Sequence, residues 1–174
     1  MLKPKLVVTA VHEVTPKLLK AHGLRAVMVD LDDTLVASTG VASTGAGLVD
    51  LDARFTAWAL SLRESGIPLL ILSNGTSARV KHYAALLGVQ GFAMVGKPSQ
   101  AAFRRGLDLL GTPPRQTAMV GDQLFTDVLG ANLAGMTSIL VEPLSAGRLP
   151  HTRLLRRLER MILGRQRGDP VPWR

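Results

Sequence analysis

The stretch Val27-Met28-Val29-Asp30-Leu31-Asp32-Asp33-Thr34-Leu35-Val36 decides how the rest of this chain is read. Three apolar residues run into an acid, a second acid follows two positions on, and a threonine two later. Short, apolar and β-branched at both ends, Val27 to Val29 predicts a buried strand. Asp30 then stands at its carboxyl end, where open α/β sheets gather their chemistry. If the chain stays extended, Asp30 and Asp32 share one side. Carboxylates so close repel unless a cation sits between them. The pair therefore predicts a hard metal such as Mg²⁺, held by oxygens and a substrate phosphate. One carboxylate can attack phosphorus while the other handles the proton. Two blander readings compete: a solvated turn after a strand, or part of a calcium loop, whose D-x-[DN]-x-[DN]-G pattern is broken by Thr34-Leu35-Val36.

At 174 residues, 47% of them apolar and 20% charged, the chain predicts a single globular domain over 1–174 rather than a disordered one. Its core is expected over about 24–141. Cysteine is absent, which excludes disulfides and thiolate chemistry. No signal peptide is read at Met1-Leu2-Lys3-Pro4-Lys5, and no apolar run is long enough to span a bilayer. A cytoplasmic location is expected, with peripheral contact at the inner face of the membrane. The net charge of +8 is uneven, since Arg148 to Arg174 carries eight arginines against Glu159 and Asp169. A tail so basic points to an anionic partner.

Turn and cap residues divide the chain. Thr15-Pro16 predicts a helix start, with Thr15 as cap, and Gly23 an end. Residues 36–45 read Val-Ala-Ser-Thr-Gly twice, a small, polar, Gly-rich loop beside the site. A helix is expected from Leu51 to Leu62, burying Phe55, Trp58, Ala59 and Leu62. Strands are expected at Ile67–Leu72, Phe92–Val95, Thr117–Val120 and Thr137–Val141, and helices at Thr76–Leu87, Ser99–Leu110 and about Leu124–Ala134. Strands alternating with helices predict an α/β fold, a parallel sheet with helices on both faces. Over 148–174 a basic amphipathic helix, about Thr152 to Leu163, and a loose tail are expected.

Four strand ends carry polar groups: Asp30 and Asp32, then Ser73 and Asn74, then Lys97, then Asp122 and Asp127. In a parallel sheet these ends share one edge. Phosphoryl transfer needs such a set: a nucleophile, a proton donor, a metal, and donors for the equatorial oxygens. Each group has a plainer reading. Ser73 and Asn74 could cap a helix, Lys97 could be solvated, and Gly121-Asp122 could be a turn.

Asp30-x-Asp32-x-Thr34-Leu35-Val36, Leu72-Ser73-Asn74, Lys97-Pro98 and Gly121-Asp122-x-x-x-x-Asp127 resemble the four motifs of the haloacid dehalogenase (HAD) superfamily of phosphatases, in the family's order. The Thr15-Pro16 helix and the Gly121–Asp127 segment are similar, more narrowly, to the YqeG subfamily of class IIIA, itself similar to phosphatidylglycerophosphate phosphatases. That subfamily often has asparagine where this chain has Asp33. The resemblance implies a HAD-like Rossmannoid fold and a Mg²⁺-dependent phosphomonoester hydrolase. It implies Asp30 as nucleophile, forming an aspartyl-phosphate, and Asp32 as the acid that protonates the leaving oxygen and then activates water. Thr34 would support the motif loop, Ser73 would bind the phosphoryl group with Asn74 beside it, and Lys97 would offset charge. The metal would lie among Asp30, Asp32 (through its backbone carbonyl), Asp122 and Asp127, the last as a second or outer ligand.

Family members commonly carry a cap domain after the first motif or before the lysine. Here 16 residues separate Thr34 from the Leu51 helix and 22 lie between Asn74 and Lys97, too few for a folded cap. A capless, open site and a basic tail suit a phosphorylated substrate on an anionic membrane, a lipid head group, with phosphatidylglycerophosphate leading by resemblance. Two alternatives stay open. One is a soluble phosphatase for a small metabolite, protein or nucleic-acid phosphate. The other is a non-catalytic RNA- or protein-binding module on the same fold. Few aromatics, 4% of residues, argue against single-strand nucleic-acid binding.

Overall fold

The structure is a computed structural model that describes residues 1–37, 48 and 50–144. The doubled Val-Ala-Ser-Thr-Gly segment beyond residue 37 and the basic helix and tail over 148–174 lie outside the described residues.

Chain order gives β1 (Leu6–Val7), α1 (Pro16–Ala21), β2 (Ala26–Val29), α2 (Ala53–Glu64), β3 (Leu69–Leu72), α3 (Ser77–Leu87), β4 (Gln90–Phe92), α4 (Gln100–Leu110), β5 (Thr117–Gly121), α5 (Leu129–Leu133) and β6 (Thr137–Leu140). A π-helical turn, Leu124–Val128, leads into α5. All strand pairs are parallel, in the order β1-β6-β5-β2-β3-β4. The chain winds from β2 outward to β4, then returns to build β5 and β6 on the other side. The reversal falls between β2 and β5, which pair from Ala26–Thr117 to Val29–Val120. Crevices at such a reversal, beyond the carboxyl ends, are where open sheets bind ligands.

Alternation along the central strands makes the two layers. Val27, Val29, Leu69, Ile71, Ala118, Val120 and Ile139 face one side, against Phe55, Trp58 and Leu62 of α2 and Val80, Tyr83 and Leu87 of α3. Met28, Leu70, Leu72 and Met119 face the other, against Ala102, Phe103 and Leu107 of α4 and Ala131 of α5. Strands apolar on both faces are what a sheet covered on both sides requires. Trp58 is core, and its Nε1 donates to the Val14 carbonyl at 2.9 Å.

Local signals set most boundaries. Thr15 Oγ1 accepts from the Leu18 amide at 3.2 Å, the cap expected from Thr-Pro. α2 starts at Ala53, two residues after the expected Leu51, because Asp52 caps it, accepting from the Arg54 amide at 2.9 Å. Gly88 and Gly111 close α3 and α4 with φ of 65° and 62°. Two departures stand out. The two-residue β1 was not expected, and it pairs at the sheet edge with Ile139 and Leu140. The third expected strand lies earlier, at Gln90–Phe92, because β3 pairs with those residues. The chain after it bends at Met94, whose φ is 50°.

The layer under α4 and α5 closes tightly at Gly130, where an added Cβ would overlap the Phe103 ring. Phe103 is fully buried, so the ring has nowhere to retreat. Gly130→Ala is therefore expected to destabilise by about 1–3 kcal/mol in a denaturant titration, despite the better helix propensity of alanine. An unchanged midpoint would show that the two helices can slide apart.

Candidate active site

The carboxyl ends of the central strands bring the expected residues together. Asp30 follows β2, and its amide donates to the Val120 carbonyl of β5 at 2.9 Å, which seats it at the reversal. Asp30, Asp127 and Lys97 are each less than a tenth exposed. Lys97 Nζ donates to Asp30 Oδ1 at 2.6 Å and to Asp127 Oδ1 at 2.7 Å. One ammonium thus joins the end of β2 to the turn after β5. Asp122 completes the cluster: ligand atoms of Asp30, Asp122 and Asp127 lie within 4.8 Å of one another.

Small residues make room for these acids. Gly121 ends β5 where a Cβ would overlap the Asp127 carboxylate. The π-helical turn then carries Asp127 back over the strand end, and Asp127 Oδ2 accepts from the Gln123 amide at 3.2 Å. Thr34 is buried and its Oγ1 donates to Asp122 Oδ1 at 3.1 Å. The loop bearing Thr34 turns at Asp33, with φ of 62°, and the Asp33 amide closes it on the Val36 carbonyl at 2.7 Å. Left-handed backbone is where asparagine and aspartate are best tolerated, so an Asp at this place meets the same demand as an Asn.

The remaining candidates have specific partners. Ser73 is buried and its Oγ accepts from the Gly75 amide at 2.9 Å. The Asn74 side chain faces the Lys97 main chain: Oδ1 accepts from the Lys97 amide at 2.7 Å and Nδ2 donates to its carbonyl at 3.3 Å. Asn74 thus holds Lys97 in place. The helix-cap reading of this pair does not apply, since α3 has Thr76 at its cap and no side-chain cap bond. Asp32 stands apart from the acid cluster. Its carboxylate, 30% exposed, pairs with Arg79 of α3 at 2.8 Å.

Arg79 was missed in the sequence. The only signal was a cation in the first turn of α3, where the helix dipole disfavours it.

Charge and burial are out of balance here. Burial pushes the Asp30 carboxyl up to about 7, helped by the Asp127 charge and opposed by Lys97. Asp122 is raised well above the usual carboxylate range, by burial first and then by Asp127, Asp30 and Asp33. Burial works against the Lys97 charge, yet Asp127 and Asp30 outweigh it and hold its ammonium above the ordinary value. Three carboxylates against one ammonium leave an excess negative charge that a hard divalent cation would neutralise, and the all-oxygen donor set suits one.

Comparison with known proteins gives the family. Residues 94–143 match the HAD-hydrolase-like family model. "Probable phosphatase YqeG" of Bacillus subtilis is 32% identical over 171 residues, covering 98% of this chain and 95% of that protein. Phosphoserine phosphatase of Thermus thermophilus is 36% identical over 91 residues, 52% of this chain and 36% of that enzyme. Among solved structures, the cobalt-bound deoxy-D-mannose-octulosonate 8-phosphate phosphatase of Haemophilus influenzae shares the fold, with a TM-score of 0.59 at 21% identity, covering 83% of this chain and 90% of that one.

Proposed function

The chain belongs to the HAD-like phosphatases, and from that premise we propose that it is a Mg²⁺-dependent phosphomonoester hydrolase working through an aspartyl-phosphate on Asp30, with phosphatidylglycerophosphate as substrate. One observation carries the catalytic part: Lys97 bridges Asp30 and Asp127 at 2.6 and 2.7 Å beside Asp122, at the reversal of the sheet.

The residues divide the work as follows. Asp30 attacks phosphorus in line with the leaving oxygen. Asp32, outside the acid cluster, protonates that oxygen and then takes a proton from water. The Ser73 hydroxyl and the Lys97 ammonium donate to phosphoryl oxygens, and Asn74 aims Lys97 through its main chain. Thr34 orients Asp122. Asp30, Asp122, Asp127 and the Asp32 main-chain carbonyl are the oxygens that would hold Mg²⁺. When bound, the ion offsets the charge of phosphate and carboxylates, a Lewis-acid contribution.

This metal site makes a pH prediction. A carboxyl at about 7 in the fold and near its ordinary 3.8 in the unfolded chain binds its proton more tightly when folded. Its stabilising effect is therefore full below the unfolded value and lost as pH rises through the folded one. Metal-free protein should melt at falling temperature from about pH 5 to about pH 8, and added Mg²⁺ should raise the melting point far more at the upper pH. An Mg²⁺ effect equal at both ends would remove the carboxylates from the metal site.

The lipid part rests on other support. The Asn74–Lys97 interval holds only α3 and β4, so no cap domain arises there. Met94, at the rim of that interval, is 73% exposed and its amide donates to the Gly75 carbonyl. An exposed methionine close before Lys97 suits a head group presented at a lipid surface, and the basic segment beyond residue 148 suits an anionic one. A single domain over 1–174 with peripheral membrane contact follows from the same reading. Among the described residues no helix is long and apolar enough to cross a membrane. The second reading, a small soluble phosphate ester, has its support in the phosphoserine phosphatase similarity.

Phosphate release with Mg²⁺ from phosphatidylglycerophosphate in mixed micelles, set against small esters, separates the two. Faster release from the lipid, absent in Asp30→Asn, is the expected result. Turnover of small esters alone would leave the phosphatase and remove the lipid.

A further inference from the structure

Asp32 stands outside the acid cluster, and the arginine that holds it has no role so far. Arg79 Nε and Nη2 both donate to Asp32 Oδ1, at 3.2 and 2.8 Å. The guanidinium lies 5.6 Å from the centre of the Tyr83 ring, which is fully buried and cannot yield. On its other side, Asp32 Oδ2 comes within 2.5 Å of where a Cβ on Gly75 would stand. The carboxylate is thus gripped at one oxygen and fitted against bare backbone at the other. Local helix energetics do not explain this arginine, since a cation in the first turn of α3 opposes the dipole.

We propose that Arg79 is a positioning residue that aims Asp32 at the leaving oxygen, fitting the enzyme to esters of alkyl alcohols. The proposal rests on the reading above that Asp32 is the proton donor. In the step concerned, an Asp30 oxygen forms the bond to phosphorus as the bond from phosphorus to the leaving oxygen breaks. The electron pair stays on that oxygen, which takes the Asp32 proton. Asp32 is left as a carboxylate facing the guanidinium. A planar fork backed by a ring holds one geometry, as a lysine would not. Alkoxides leave poorly without a proton, whereas a nitrophenolate leaves readily as the anion.

The test compares kcat/KM, which covers only steps through leaving-group departure, for glycerol phosphate and p-nitrophenyl phosphate with Mg²⁺. The full chain is used as wild type, Arg79→Gln, Arg79→Lys, Asp32→Asn and the Arg79→Gln/Asp32→Asn double variant. Arg79→Gln should lower the alkyl-to-aryl ratio by about ten-fold or more, with KM little changed, and Arg79→Lys should recover part of it. In the Asp32→Asn background the same change should cost less than about two-fold more, because the residue it acts through is gone. Equal losses on both esters, or a raised KM with unchanged kcat, would overturn the proposal. If Arg79→Gln does not fold, Arg79→Lys carries the same comparison. A wild type showing no Asp30-dependent turnover of either ester overturns the proposal together with the reading beneath it; Asp30-dependent turnover with equal losses overturns the proposal alone.

Discussion

Lys97→Met is expected to cost about 3–5 kcal/mol of stability in metal-free buffer near pH 8, the penalty of leaving buried charges without their partner. Lys97 Nζ is the shared donor to Asp30 and Asp127, and its side chain is 2% exposed. Methionine keeps the length and removes the charge. Asp30 and Asp127, together with the neighbouring Asp122, then face one another without the ammonium. Domains of this kind have only about 5–15 kcal/mol in all, so the variant should sit close to unfolding. The loss should shrink toward pH 5, where the Asp30 carboxyl, at about 7 in the wild type, takes up its proton. Added Mg²⁺ should restore part of it. Denaturant midpoints at the two pH values give the answer. A loss under about 1 kcal/mol at the upper pH would mean that water reaches the cluster and that the pair is not the keystone assigned to it.

Asp30→Asn should separate activity from stability. Under the proposed mechanism the amide cannot attack phosphorus, and turnover should fall by about a thousand-fold or more. Stability should not follow. Asparagine Oδ1 can still accept from Lys97, and the buried carboxyl it replaces, held up to about 7, is already half-neutral near that pH. A metal-free melting point within a few degrees of wild type is expected. The Mg²⁺-induced rise should be reduced, because one of its oxygen donors has lost its charge. A variant with substantial remaining turnover would move the nucleophile elsewhere. An inactive variant that is also largely unfolded would leave the role of Asp30 to be tested by Asp30→Glu, which keeps the charge and shifts the carboxylate.

The two variants probe different links between sequence and function, and they differ in how far each could be read in advance. Asp30, Ser73, Lys97 and Asp122 were legible as strand-end residues because each follows an apolar run or a turn signal. The unbroken apolar runs of Val27–Val29 and Leu69–Leu72, together with the glycines closing α3 and α4, express forces acting within a few residues. Such forces leave their mark on neighbouring letters. The parallel α/β fold followed from the same signals, and family membership matched it. The core position of Trp58 followed from helical spacing alone.

Other features depended on contacts between distant residues, which no local pattern encodes. β1 is two residues long and exists because β6 offers it an edge. β4 starts at Gln90 because β3 pairs there, not where the apolar letters are densest. Asn74 holds the Lys97 main chain, and the Asp32 carboxylate turns to Arg79 instead of joining Asp30, Asp122 and Asp127. Sequence by itself determined which residues arrive at the carboxyl edge of the sheet, because apolar runs and turn chemistry are local. Only the tertiary structure decided which of them touch, because a bond between residues 67 positions apart, as between Lys97 and Asp30, is set by the strand order and by what burial leaves unpaired.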